Sequence, residues 1–121
     1  MKKVLLVEDE AIIALSTKKM LENTGLFEVS IIDNGTAAIN FLKQEPPQII
    51  LMDIKIVGMM DGIETMHEIR KFSNVPVVYL TGNSDPRARI RAKATENSEF
   101  LTKPVEISEL LQCISNLLDK Q

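Results

Sequence analysis

The sequence predicts an α/β fold, a five-stranded parallel sheet covered on both faces by five helices. Three observations predict it. Short apolar runs recur along the chain, and they are nearly continuous, as strands buried on both faces require. Amphipathic segments with helical spacing lie between them. The two kinds of segment alternate from one end of the chain to the other, with no repeat, linker or low-complexity stretch.

The first run is Lys3–Val7. Ile13, Thr17, Met20 and Leu21 then fall on one helical face, and Gly25 ends that segment. Phe27–Ile32 is the second run. Asn34 is a side-chain cap for a helix carrying Ala37, Ala38, Phe41 and Leu42, which Pro46-Pro47 terminates. Ile49–Asp53 is the third run, followed by Asp61 as a cap and a stripe of Ile63, Met66 and Ile69. Val75–Thr81 is the fourth. Asp85-Pro86 places a cap before a proline at the first helical position, with Ala88, Ala92 and Thr95 on one face. The weak run Glu99–Thr102 is read as a strand partly from its position. Ile107, Leu110, Leu111, Ile114 and Leu118 form the last and clearest stripe.

Composition narrows the function. The chain has 121 residues, with 45% apolar and 26% charged. That is one domain's worth, large enough to fold without disulfides or a structural metal. A lone cysteine, Cys113, excludes a disulfide framework or a multi-cysteine zinc site and suits a reducing compartment such as the cytoplasm. No apolar run approaches membrane-spanning length, and Val4–Val7 is too short for a signal-peptide core. With 14 basic and 17 acidic side chains, the balance argues against nonspecific nucleic-acid binding.

Parallel strands joined by right-handed crossovers put all their C-terminal ends at one edge, where such folds bind ligands. At that edge the sequence places Glu8-Asp9, Asp53, Thr81 and Lys103-Pro104. Three crowded carboxylates repel, and a hard divalent cation relieves them.

These residues carry a resemblance. Val7-Glu8-Asp9, Met52-Asp53, Asp61-Gly62, Leu80-Thr81-Gly82 and Leu101-Thr102-Lys103-Pro104 resemble, in order, the motifs of the receiver domains of two-component response regulators. The likeness is to the single-domain chemotaxis type, and it extends from Lys3 to Leu118, so that residues 1–121 read as one receiver domain. It implies a flavodoxin-like, doubly wound sheet in the order 2-1-3-4-5. It implies that Asp53 accepts a phosphoryl group from a histidine kinase's phosphohistidine. Glu8, Asp9, Asp53 and the Lys55 backbone carbonyl then hold magnesium, with manganese as a substitute. Thr81 and Lys103 contact the phosphoryl group, and the bond to Pro104 is cis. Phe100 turns inward when Thr81 moves and carries the change to the fourth helix, fifth strand and last helix. Lys55 and Asn83 flank the water that hydrolyses the acyl phosphate and tune its lifetime. The implied partners are a sensor histidine kinase or phosphotransfer domain, and a downstream protein or an output domain outside this chain. No nucleic acid or membrane is expected to bind this chain directly. The role is a signalling switch, not an enzyme.

Two other readings are weaker. A haloacid dehalogenase-like phosphohydrolase needs an acid two residues after its nucleophile, where this chain has Lys55. A flavin or nucleotide binder needs a phosphate-cradling first loop, which Glu8-Asp9-Glu10 would repel. The chain also departs from the receiver pattern. The interval from Asp53 to Asp61 is one residue longer than usual. The family commonly has a proline four residues after the acceptor, and the segment from Lys55 to Met60 has none. Val57, Met59 and Met60 in that segment pack on the start of the third helix or stay exposed, with an apolar patch for a partner as the alternative. Arg87, Arg89, Arg91 and Lys93 read as a solvated face, with a docking surface for an acidic partner as the alternative; His67 reads as a surface residue and Cys113 as an inert thiol.

Overall fold

The computed structural model describes residues 1–82 and 86–120. Strands and helices alternate as β1 (Lys2–Val7), α1 (Ala11–Glu22), β2 (Phe27–Ile32), α2 (Gly35–Gln44), β3 (Ile49–Asp53), α3 (Gly62–Ile69), β4 (Val77–Thr81), α4 (Pro86–Lys93), β5 (Ser98–Thr102) and α5 (Ile107–Leu118). The sheet is parallel in the order β2-β1-β3-β4-β5. The chain therefore steps one way from β1 to β2 and the other way from β3 onward. The winding reverses between β1 and β3, whose C-terminal ends carry the acidic residues.

Alternating strand residues feed two cores. Leu5, Val7, Ile50, Met52, Val77 and Tyr79 pack under α2, α3 and α4. Val4, Leu6, Ile49, Leu51, Val78 and Leu80 pack under α1 and α5. Both faces of β1, β3 and β4 are thus dry, which explains their continuous apolar runs.

The helix starts follow local chemistry. Asn34 Oδ1 accepts from the Ala37 N–H at 2.8 Å. Asp61 forms a reciprocal box with Glu64: its Oδ1 accepts from the Glu64 N–H at 2.8 Å, and its own N–H donates to Glu64 Oε1 at 2.9 Å. Asp85, the expected cap of α4, lies outside the described residues.

Several boundaries differ from expectation. β1 and β5 each begin one residue earlier than their apolar runs, at Lys2 and Ser98, where the ladders to β2 and β4 already exist. β4 begins at Val77 because Pro76 has no N–H for the ladder, although its carbonyl accepts from Ile50 at 2.9 Å. The buried seam of α1 runs through Ala14 and Leu21, while Ile13 is 36% exposed. The small Ala14 lets that helix approach the sheet and turns Ile13 outward. On α5, Leu117 joins Leu110 and Ile114 as the buried row.

Candidate functional site

Each acidic side chain at the sheet edge is fixed by a backbone amide close by. Glu8 follows β1 and is 2% exposed. Its Oε2 accepts from the Glu10 N–H at 3.2 Å. Asp53 closes β3, and its Oδ1 accepts from the Lys55 N–H at 3.1 Å. Asp9 Oδ2 accepts from the Val57 N–H at 3.0 Å. One oxygen of each of these three carboxylates lies within 4.8 Å of the other two.

Lys103 joins the cluster from beyond β5. Its Nζ donates to Glu8 Oε1 at 3.0 Å and to Asp53 Oδ2 at 3.3 Å. The Lys103 N–H donates to the Thr81 carbonyl at 2.6 Å, and the Lys103–Pro104 peptide bond is cis. Burial raises the Glu8 carboxyl above the usual range, and Asp53 beside it adds to the rise, against the Lys103 and Glu10 donors. Burial works to lower the Lys103 ammonium, but Glu8 and Asp53 outweigh it and hold the ammonium above its usual value.

Three carboxylates against one ammonium leave an excess of two negative charges when all are ionised. A hard divalent cation fits this donor set. All its donors are oxygens, and Asp9 Oδ1 receives no hydrogen bond among the described residues. Magnesium is therefore compatible with Glu8, Asp9 and Asp53.

Thr81 ends β4 one residue beyond Leu80, which registers with Asp53 across the sheet. It is fully buried. Phe100 on β5 is half-buried, with the Arg89 guanidinium 5.0 Å from its ring centre. The Lys55 side chain is exposed and forms no ion pair among the described residues, so its ammonium does not reach Glu8. Asn83 lies outside the described residues.

Sequence reasoning missed three supports of this site. Gly62 is packed so closely under β3 that an added Cβ would sit 2.3 Å from the Asp53 carbonyl oxygen. The Asp61-Gly62 pair was the available signal. Ile54 and Ile56 are buried and pin the β3–α3 connection, whereas Val57 and Met59 are 67% and 96% exposed and Met60 is half-buried. Apolar side chains at alternate positions could have indicated that anchor. Finally, the basic face of α4 is not merely solvated: besides Arg89 on Phe100, Arg91 pairs with Asp61 at 2.9 Å. His67 is exposed, as expected of a surface residue, and burial pushes the half-buried Cys113 thiol up. No helix among the described residues is long and apolar enough to cross a membrane.

Comparison with known proteins points in one direction. Residues 4–115 match the model of the response regulator receiver domain. The chain is 33% identical over 121 residues to response regulator Rre1 of Synechocystis sp., covering 98% of this chain and 52% of that protein. It is 35% identical over 118 residues to a transcriptional regulatory protein, the CpxR homolog of Haemophilus influenzae, covering 98% and 51%. It thus spans about half the length of these curated relatives. Among solved structures, it is similar to the receiver domain of a sensor histidine kinase from Pseudomonas aeruginosa, described with a magnesium ion coordinated in its active site cleft. That match has 26% identity and a TM-score of 0.87, and covers 98% of both chains.

Proposed function

The chain belongs to the response regulator receiver domain family of two-component systems, and from that premise we propose that it is a phosphorylation-controlled switch whose phosphoacceptor is Asp53. The observation that carries this reading is the position of the Asp53 carboxylate. It ends the central strand of the acidic edge, 3.3 Å from the Lys103 ammonium and within a three-carboxylate cluster.

Asp53 attacks the phosphorus of a phosphohistidine in line. The P–N bond breaks, a P–O bond forms, and the imidazole leaves with its electron pair. Such transfer needs positioning and charge neutralisation more than covalent help from the protein. Lys103 supplies one positive charge, already aimed at Asp53. Glu8, Asp9, Asp53 and the Lys55 carbonyl would hold magnesium, or manganese in its place, which would supply the remaining positive charge. The acyl phosphate brings about two negative charges to the edge. The Thr81 hydroxyl is recruited to a phosphoryl oxygen and leaves its buried position. Phe100 takes up the space, and the α4–β5–α5 surface changes.

The donor is a sensor histidine kinase or phosphotransfer domain. A groove of about 550 Å³ between α1 and α5 supports such docking: Ile12, Ile13, Met20, Pro104 and Val105 line it together with the site residues Glu8 and Lys103. The receiver of the signal is a downstream protein or an output domain. The chain acts in the cytoplasm as a regulatory domain, assisting only its own phosphorylation and dephosphorylation. It forms one receiver unit over residues 1–121. At the position where a phosphohydrolase of the dehalogenase type would carry its acid–base carboxylate stands Lys55.

Intact-mass measurement after treatment with a small phosphodonor and magnesium tests the assignment. One added phosphoryl group is expected in the wild type and none in Asp53→Asn. Asp9→Ala or excess chelator abolishes labelling while the fold persists. Undiminished labelling of Asp53→Asn under brief, mild treatment refutes the phosphoacceptor.

A further inference from the structure

The connection between β3 and α3 does more than span the two elements. Ile54 and Ile56 are buried and fix its path. Val57, four residues after Asp53, follows that buried pair, and its N–H reaches across to Asp9 Oδ2 at 3.0 Å. Among the described residues Glu8 and Asp53 each accept from a backbone N–H and from the Lys103 ammonium. Among the described residues Asp9 has the Val57 N–H alone. That single bond leaves Oδ1 uncommitted, and with it in place a carboxylate oxygen of Asp9 lies within 4.8 Å of those of Glu8 and Asp53.

We propose that the Val57 backbone amide is a positioning donor of the metal site, holding Asp9 in the orientation that ligates a divalent cation. The inference rests on the reading of Glu8, Asp9 and Asp53 as a magnesium site. Donors to a ligating carboxylate fix its rotamer, and removing such outer partners costs metal affinity roughly 10–100-fold. A proline at this position has no N–H to give. The departure from the receiver pattern, a longer connection without proline, therefore creates a bond that a proline-bearing connection cannot make at this residue. The Val57 side chain is 67% exposed, so the role falls to its backbone.

Magnesium titrations of the folded protein, followed by calorimetry and by backbone amide NMR, test this. Val57→Pro should weaken magnesium binding about tenfold. Val57→Ala keeps the N–H and should bind as the wild type does. Equal affinity in Val57→Pro overturns the proposal, as does an equal loss in Val57→Ala. A wild-type measurement holds even where the proline variant does not fold. The Val57 amide resonance should shift with the same midpoint as those of Asp9 and Asp53, and its exchange with solvent should quicken in Asp9→Ala. A Val57 amide indifferent to magnesium and to Asp9→Ala refutes the link. Wild-type binding that Asp9→Ala does not reduce sinks the metal reading itself. Binding that depends on Asp9 but is untouched in Val57→Pro sinks this inference alone.

Discussion

β3 and α4 lie on the same side of the winding reversal but are built on opposite terms. Every residue of β3 is buried, and Ile49, Ile50, Leu51 and Met52 are completely so. α4 buries only Ala88 and Ala92, and its one large apolar side chain, Ile90, is 71% exposed. Two methyl groups give little hydrophobic anchorage beside the four large side chains of β3. Two further contacts of α4 are exchangeable: a half-exposed ion pair from Arg91 to Asp61 and the stacking of Arg89 on Phe100. A transfer reaction needs its nucleophile held still, whereas a signal needs an element that a small free energy can move. In the proposed switch, Asp53 lies on the first kind of element and Thr81 links it to the second.

The largest expected contrast comes from truncation. Leu51→Ala should destabilise the fold by about 2–5 kcal/mol, while Ile90→Ala should stay within about 0.5 kcal/mol. Urea unfolding of the two variants measures both. A cost for Ile90→Ala close to that of Leu51→Ala would show α4 to be as firmly anchored as β3 and break the comparison.

Two glycines sharpen it. A Cβ on Gly62 would meet the Asp53 carbonyl oxygen at 2.3 Å and Met52 Cγ at 2.8 Å, so either the start of α3 or the strand that carries Asp53 has to shift. Gly62→Ala should cost about 1–3 kcal/mol and lower phosphodonor labelling. A Cβ on Gly82, at the end of β4 next to α4, meets nothing within 4 Å. Gly82→Ala should be nearly neutral in stability. Equal effects from both would mean that the tight packing around Asp53 does not distinguish the two regions.

The acidic edge also gives the anchored half a pH signature. Glu8 holds its proton more tightly in the folded state than in the unfolded chain. Stability should therefore fall as pH rises from the ordinary glutamate value near 4.5 through the raised native value. The Lys103 ammonium is also raised, so its contribution is present below 10.5 and disappears as pH climbs through its higher native value. Urea midpoints across pH should show both declines in chelator. Glu8→Gln should lose the acid-side decline, and magnesium should offset it by favouring the ionised carboxylates. A wild-type profile that superimposes on that of Glu8→Gln would assign the decline to another group.

The same contrast decides what could be read from sequence. β3 was legible because two buried faces demand an unbroken apolar run, and Asp53 stood out as the charge that ends it. The convergence of Glu8, Asp53 and Lys103 followed from topology, because parallel strands present their C-terminal ends at one edge. What was not legible depended on backbone atoms. The Val57 N–H on Asp9 has no side-chain signature, and the approach of Gly62 to the Asp53 carbonyl is a matter of fractions of an ångström. α4 was read as a solvated basic face because periodicity reports the burial of apolar groups. It does not register that Arg89 and Arg91 find partners on β5 and at the start of α3.

The smallest expected effect concerns Lys55, where the two terms meet in one residue. Its backbone belongs to the anchored half: the N–H binds Asp53 Oδ1 at 3.1 Å, between the buried Ile54 and Ile56. Its side chain is exposed and forms no ion pair among the described residues. Hydrolysis of the acyl phosphate requires a water in line behind the phosphorus, opposite the Asp53 oxygen. An ammonium has three donors and no acceptor, so it cannot orient that water by accepting its proton. Once the phosphoryl group brings about two negative charges to the edge, the exposed ammonium should be drawn toward them and crowd the approach. An asparagine there offers a carbonyl oxygen that can accept from the water. Lys55→Asn should therefore shorten the lifetime of the phosphorylated protein, by about tenfold or less, the worth of one hydrogen bond. The decay of labelled protein in magnesium without kinase measures it. An unchanged or longer lifetime would mean that the Lys55 side chain stays in solvent after phosphorylation, and that only its backbone serves the site.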